Sequence, residues 1–152
     1  DKSLFEELKA PYETLIIESI IYKTLRVKTS YVENDLEDHG ERQILNYGHT
    51  IGHAVEKESD YALLHGECVA IGMKTMARDK PFFTQLTAIL NAYDLNRSIP
   101  SSMTMERLMN HIREDKKVFN DTYYIIDVEE VGNGFIKATT ESEIMRIIKG
   151  DA

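Results

Sequence analysis

Cysteine is nearly missing from this 152-residue chain, and Cys68 stands alone. That excludes an internal disulfide and points to a reducing, cytoplasmic setting. The lone thiol itself is read as a small buried hydrophobe. Positive charge is short as well. Eighteen Lys and Arg against 26 Asp and Glu leave a formal net charge of −8, so there is no broad basic face to displace counterions from phosphates, and non-specific nucleic-acid binding is excluded. Any basic site must be local. No apolar run approaches the length that a bilayer demands. The opening Asp1-Lys2-Ser3-Leu4-Phe5-Glu6-Glu7 has neither an initiator methionine nor the charged-then-apolar pattern of a secretion signal, so the chain is expected to be a piece of a longer polypeptide. Internal repeats and low-complexity stretches are also missing, while 42% hydrophobic and 29% charged residues describe one soluble domain with its own core.

Apolar residues spaced by three and four, among them Leu15, Ile16, Ile20 and Val27, predict a long amphipathic helix over residues 11–32, with Pro11 in its first turn. The polar run 33–40 is its exit. Further helices are predicted over 41–57, over 66–80 with Glu67 in the first turn, over 81–93, and over 105–113 with Thr104 or Ser102 as cap. Residues 122–128 are β-branched and aromatic, and Val131-Gly132-Asn133-Gly134 offers a turn before 135–138, which predicts a small hairpin. Thr140-Glu141-Ser142-Glu143 reads as the capped start of a last helix ending near Gly150. The expected fold is mainly α, a multi-helix domain with one small β-hairpin near its C-terminal end.

The chemistry concentrates in Leu45-Asn46-Tyr47-Gly48-His49-Thr50-Ile51-Gly52-His53-Ala54-Val55-Glu56 and in Leu64-His65-Gly66-Glu67. On a helix, His49 and His53 share one face, and a second element can return His65 to it. Thr50 follows His49, so this is not the HExxH of zinc proteases. A histidine pair at this spacing is often no more than a polar helix face. What adds weight is Gly48 and Gly52, each costing about 1 kcal/mol against alanine in a helix interior. Close approach by a ligand or by another backbone would account for them. Neutral imidazoles suit zinc, which at catalytic sites takes three protein ligands and keeps a position open. No carboxylate ligand is obvious, since Glu67 suits the helix dipole and Glu56 reads as a solvated charge. Lys28, Arg42 and Lys116-Lys117 are cations that could receive a carboxylate and a phosphate, though each alone is more often a solvated surface residue.

Taken in order, Lys28-Thr29-Ser30-Tyr31-Val32-Glu33-Asn34-Asp35, Arg42, Leu45-Asn46, Gly48-His49-Thr50-Ile51-Gly52-His53-Ala54, His65-Gly66-Glu67 and Asp115-Lys116-Lys117 closely resemble the C-terminal domain of the 3-dehydroquinate synthase family, within the sugar-phosphate cyclases. The resemblance implies that His49 and His65 are zinc (or cobalt) ligands. It places His53 and Asn46 at the substrate's phosphate region, has Lys28 and Arg42 hold its carboxylate, and adds a cation from Lys116 or Lys117. His53, Lys28, Arg42 and Asn46 would be the catalytic set. Asp38 falls where the family usually has a glutamate, the loop 35–41 departs from the usual run, and Cys68 replaces a common alanine.

The family reaction removes phosphate from a seven-carbon keto sugar phosphate acid and closes it into a carbocycle with bound NAD and a metal. NAD belongs mainly to an N-terminal α/β domain with glycine-rich loops, absent from this chain. The resemblance also puts the third metal ligand, a glutamate, upstream of residue 1. The expectation is a domain inactive alone, partnered by an N-terminal NAD-binding domain of the same protein, homodimeric when intact, and acting on an anionic sugar phosphate. Two alternatives stand beside it. One is another cyclase such as 2-deoxy-scyllo-inosose synthase, whose substrate lacks the carboxylate; the other is a noncatalytic helical module.

Overall fold

The computed structural model describes residues 1–11, 14–115 and 122–150. Its elements in order are α1 (Lys2–Glu7), α2 (Ile17–Asn34), a 3-10 segment (Glu41–Asn46), α3 (His49–Glu58), α4 (His65–Met76), α5 (Phe83–Ala92), α6 (Met105–Asp115), β1 (Tyr123–Glu130), β2 (Asn133–Thr139) and α7 (Glu141–Lys149). The mainly helical expectation with a C-terminal hairpin holds. The short α1 was not expected from the sequence. Its Asp1 carboxylate accepts the Leu4 amide at 2.7 Å, a cap that lets six residues form one helix.

Three boundaries differ from the periodicity. The long helix starts at Ile17 rather than residue 11, and ahead of it Thr14 donates its amide (2.9 Å) and its hydroxyl (2.7 Å) to the Pro11 carbonyl. Half-buried Ile20, Lys23 and Val27 form its inner face, while Ile17, Ile21, Tyr22 and Leu25 stay exposed. The helix expected over 41–57 is two pieces. Tyr47 is extended and Gly48 has φ +82°, a left-handed conformation that an L side chain resists. Helix α4 stops at Met76 instead of running to residue 80, and the Lys80 amide closes a turn on the Ala77 carbonyl at 2.9 Å. Of the two proposed caps for α6, Thr104 is the one used, its hydroxyl accepting the Arg107 amide at 3.3 Å.

The hairpin pairs Tyr123 with Thr139 and Ile126 with Ile136. Thr140 then caps α7 through the Glu143 amide (3.3 Å), and Gly150 ends it at φ +80°. The main core joins Ile51, Ala54 and Val55 of α3, Cys68, Ile71 and Met76 of α4, and Leu108, Met109 and Ile112 of α6, with Tyr123, Ile125, Ile144 and Ile148. Cys68 is fully buried there, as a small hydrophobe should be, and burial first, then Glu56 and Glu67, pushes its thiol pKa up. Ala70, Ala77, Phe82, Leu86 and Leu90 form a second cluster.

Helices α3 and α4 cross with their backbones in contact. A β-carbon on Gly72 would lie 2.0 Å from the Gly48 carbonyl oxygen, and one on Gly52 would lie 3.0 Å from the Cys68 carbonyl oxygen. Of the two explanations for Gly48 and Gly52, another backbone is the one observed. The consequence is positional, since this crossing brings the first turn of α4 against the face of α3.

Candidate metal and anion site

His49 is the first residue of α3 and His65 the first of α4, so two helix N-termini meet here. Each end has amides without intrahelical partners and a partial positive charge, conditions that favour anions and disfavour imidazolium. His53 lies one turn after His49. The three ring centroids are 5.3 Å (His49–His53), 5.5 Å (His49–His65) and 5.6 Å (His53–His65) apart. One donor nitrogen from each lies within 4.8 Å of the others, the arrangement a soft-to-borderline divalent metal takes from imidazoles.

The rings are oriented from behind. His65 Nδ1 is 3.1 Å from Glu56 Oε2, and His49 Nδ1 faces the Tyr47 carbonyl at a longer 3.4 Å. Burial first, and the neighbouring His53 and His65 after it, lower the His49 pKa against the opposing pull of the Tyr47 carbonyl, which biases the ring toward the neutral form that a metal requires. Glu56 is not the solvated charge expected of it, because its side chain is 19% exposed and engaged by His65. Glu67 keeps its expected place at the helix start. It accepts the Leu64 amide at 3.0 Å and pairs with Arg97 at 2.8 Å, locking the first turn of α4.

Beside the histidines lies a cavity of about 420 Å³, lined by Lys28 and Val27 of α2, by Asp38, and by Arg42, Asn46 and His49 among others. Lys28, Asp38, Arg42 and Asn46, which spacing alone could not gather, thus line one cavity. His53 belongs to the imidazole cluster rather than to the cavity wall. Lys116 and Lys117 lie outside the described residues. Arg42 is oriented by its Nη1–H donating to the Leu36 carbonyl at 2.9 Å.

The loop that carries Asp38 is built by a residue that sequence reasoning passed over. Asp35 accepts the amides of His39 (3.0 Å), Gly40 (2.8 Å) and Arg42 (3.1 Å). Desolvation works against it, yet those amides hold its carboxyl below the ordinary range. Asp-initiated turn chemistry in a polar loop was the available signal. Asp38 itself adopts φ +59°, and its Oδ1 is buried with no hydrogen-bond partner among the described residues. A buried acceptor at a cavity edge calls for a donor, which water or a hydroxylated ligand can supply.

Comparison with known proteins identifies the family and the fold. The pattern of the family described as "3-dehydroquinate synthase C-terminal" matches residues 1–118. The 3-dehydroquinate synthase of Shewanella pealeana is 34% identical over 149 residues, covering 92% of this chain and 41% of that protein. That of Clostridium kluyveri is 40% identical over 145 residues, covering 87% of this chain and 40% of its own length. The chain therefore spans about two-fifths of the curated relatives it matches. Among solved structures, a 2-deoxy-scyllo-inosose synthase complexed with carbaglucose-6-phosphate, NAD+ and Co2+ superposes with a TM-score of 0.74 at 23% identity, over 88% of this chain and 41% of that one. At that identity the likeness concerns the fold.

Proposed function

We propose, for a chain that belongs to the 3-dehydroquinate synthase C-terminal family, that it supplies the metal- and substrate-holding part of a 3-dehydroquinate synthase. The whole enzyme would convert 3-deoxy-D-arabino-heptulosonate 7-phosphate to 3-dehydroquinate and phosphate, a step of the shikimate pathway toward aromatic amino acids, in the cytoplasm and as a homodimer. The observation that carries this reading is the convergence of His49, His53 and His65 beside a cavity lined by Lys28, Arg42 and Asn46.

The donor set fits a metal, because two of the three imidazoles have Nδ1 turned to an oxygen acceptor and so offer Nε2. His49 and His65 would hold zinc or cobalt, with NAD supplied mainly by an N-terminal domain of the same protein. When bound, the metal supplies Lewis-acid polarisation of substrate oxygens and NAD a reversible hydride acceptor. The chain's own residues do the positioning. Lys28 and Arg42 receive the substrate carboxylate through charge-assisted hydrogen bonds, and the planar guanidinium suits bidentate contact. Asn46 and His53 face the phosphate region, with Lys116 or Lys117 adding charge there. Asp38 accepts a substrate hydroxyl. Fixing an anionic substrate at both ends is the entropic part of catalysis.

The 152-residue chain alone is expected to be inactive, since it spans only about two-fifths of the relatives' length. Phosphate release by the full-length protein, with and without His49→Ala, tests the reading. Undiminished turnover in that variant, or turnover by the isolated chain supplied with NAD and zinc, would overturn it. Two cations on one cavity favour a carboxylated substrate over that of a 2-deoxy-scyllo-inosose synthase. Activity confined to a sugar phosphate without a carboxylate would reverse that choice.

A further inference from the structure

We propose that Glu56 is a positioning residue that decides which nitrogen His65 offers to the metal. The inference rests on the metal reading above and extends it to a residue that is not itself a ligand. His65 is exposed at 54% and stands at the edge of α4, where an unrestrained imidazole would sample several ring orientations and both tautomers. Glu56 reaches it from the other helix, with Oε2 3.1 Å from Nδ1.

A carboxylate only accepts, so a hydrogen bond at this distance puts the single proton of a neutral imidazole on Nδ1. Nε2 is then the bare donor. Outer carboxylates fix ring orientation and tautomer in this way behind ligating histidines. Glu56 is not among the groups whose donor atoms converge, so it acts through His65 and does not supply the missing carboxylate ligand. Both ends of the contact are anchored. The Glu56 carbonyl takes the Ser59 hydroxyl at 2.7 Å and the Tyr61 amide at 3.1 Å, which pins its backbone near the close of α3. Glu67, braced by Arg97, pins the turn that bears His65. The Tyr47 carbonyl behind His49 repeats the device with a neutral acceptor at 3.4 Å, so the charged version falls on the more exposed ring.

A plain salt bridge between two helices would share this geometry but behave differently. The test uses the full-length protein with Glu56→Ala, Glu56→Gln and His65→Ala, its helix content checked by circular dichroism. In the metal-free protein at pH 8.5, long-range 1H–15N correlation should read His65 as the Nδ1–H tautomer, and Glu56→Ala should release it to a mixture. Titration with Co2+ followed by visible absorption should show affinity falling about 10- to 100-fold in Glu56→Ala, with a shifted band, and partial recovery in Glu56→Gln, whose amide oxygen still accepts. An Nε2–H tautomer in the wild type, or unchanged Co2+ affinity in Glu56→Ala, would overturn the role of Glu56 while leaving the metal site standing. Absence of any Co2+ spectrum from a wild type that shows the Nδ1–H tautomer would instead overturn the metal reading, and this inference with it.

Discussion

Replacing Gly72 by alanine probes how the spacing of the histidines is set. The new β-carbon would stand 2.0 Å from the Gly48 carbonyl oxygen, 2.9 Å from its carbon and 2.9 Å from the Gly52 nitrogen. All three are backbone atoms, so no side chain can swing aside. Ordinary carbon–oxygen contact begins near about 3.3 Å, so α3 and α4 must part by more than about 1 Å. Overpacking costs about 1–3 kcal/mol, and a rigid neighbour puts this case near about 3. The helix preference for alanine returns about 1 kcal/mol, leaving a net loss of about 2 kcal/mol and, for a domain of this size, a Tm lower by about 4–8 °C. Gly66→Ala makes the same chemical change in the same helix, where nothing lies within 4 Å of the added carbon. Its Tm should stay or rise. Scanning calorimetry reads both, and Co2+ titration should show Gly72→Ala weakened, because parting the helices carries His65 away from His49 and His53. A Gly72→Ala chain that melts at or above the wild type would refute the claim that backbone contact sets this crossing.

Other consequences can be measured as readily. Arg42→Ala in the full-length enzyme should lower kcat/KM for the carboxylated substrate by about 100-fold, about 3 kcal/mol, as loss of a charged partner typically does; steady-state phosphate release checks it. Thr140→Ala removes the hydroxyl that accepts the Glu143 amide at 3.3 Å and should cost about 1 kcal/mol in thermal unfolding. Glu143 is held below the ordinary carboxylate range by the Lys137 ammonium first and by the Thr139 hydroxyl second. Its folded pKa is therefore the lower one, so its contribution is complete above the unfolded value of about 4.3 and is lost as pH falls through the folded pKa. The Tm gap between wild type and Glu143→Gln should be open at pH 6 and close toward pH 3, and a gap that persists in acid would show that charge is not its source.

Elements whose signal is local were legible in the sequence. The β-branched run before Val131-Gly132-Asn133-Gly134, the cap at Thr140 and the stop at Gly150 each act within a few residues, and each appears where it was expected. Breaks imposed from outside the segment were not legible. Apolar spacing runs straight through Gly48, and only contact with Met73 and Val69 of α4 shows why the chain turns there. The same contrast runs through the site. His49 and His53 could be paired from their spacing alone, whereas the return of His65 depends on three glycines, one of them, Gly72, 20 residues beyond Gly52 in sequence. Glu56 was misread for the same reason, since its partner lies nine residues on, across a turn that spacing does not describe.

The acidity of the chain makes anion recognition a question of sign, and the answer can be read from salt. A net charge of −8 spread over the surface would repel an anionic substrate, and added salt would screen the repulsion and lower KM. The arrangement around the cavity argues for the opposite slope. Lys28 and Arg42 line it together, and His49 brings the start of α3, with its partial positive charge, to the same wall. At physiological ionic strength charges beyond about 8 Å are largely screened, so the cavity wall governs what the substrate meets, and there Lys28 and Arg42 attract an anion against the opposing carboxylates of Asp1 and Asp38. KM of the full-length enzyme should therefore rise with sodium chloride, and the slope should flatten in Arg42→Ala, because the screened attraction has been removed. A KM that falls as salt is added would mean that the overall charge governs approach and that the cations on this cavity do not bind the substrate.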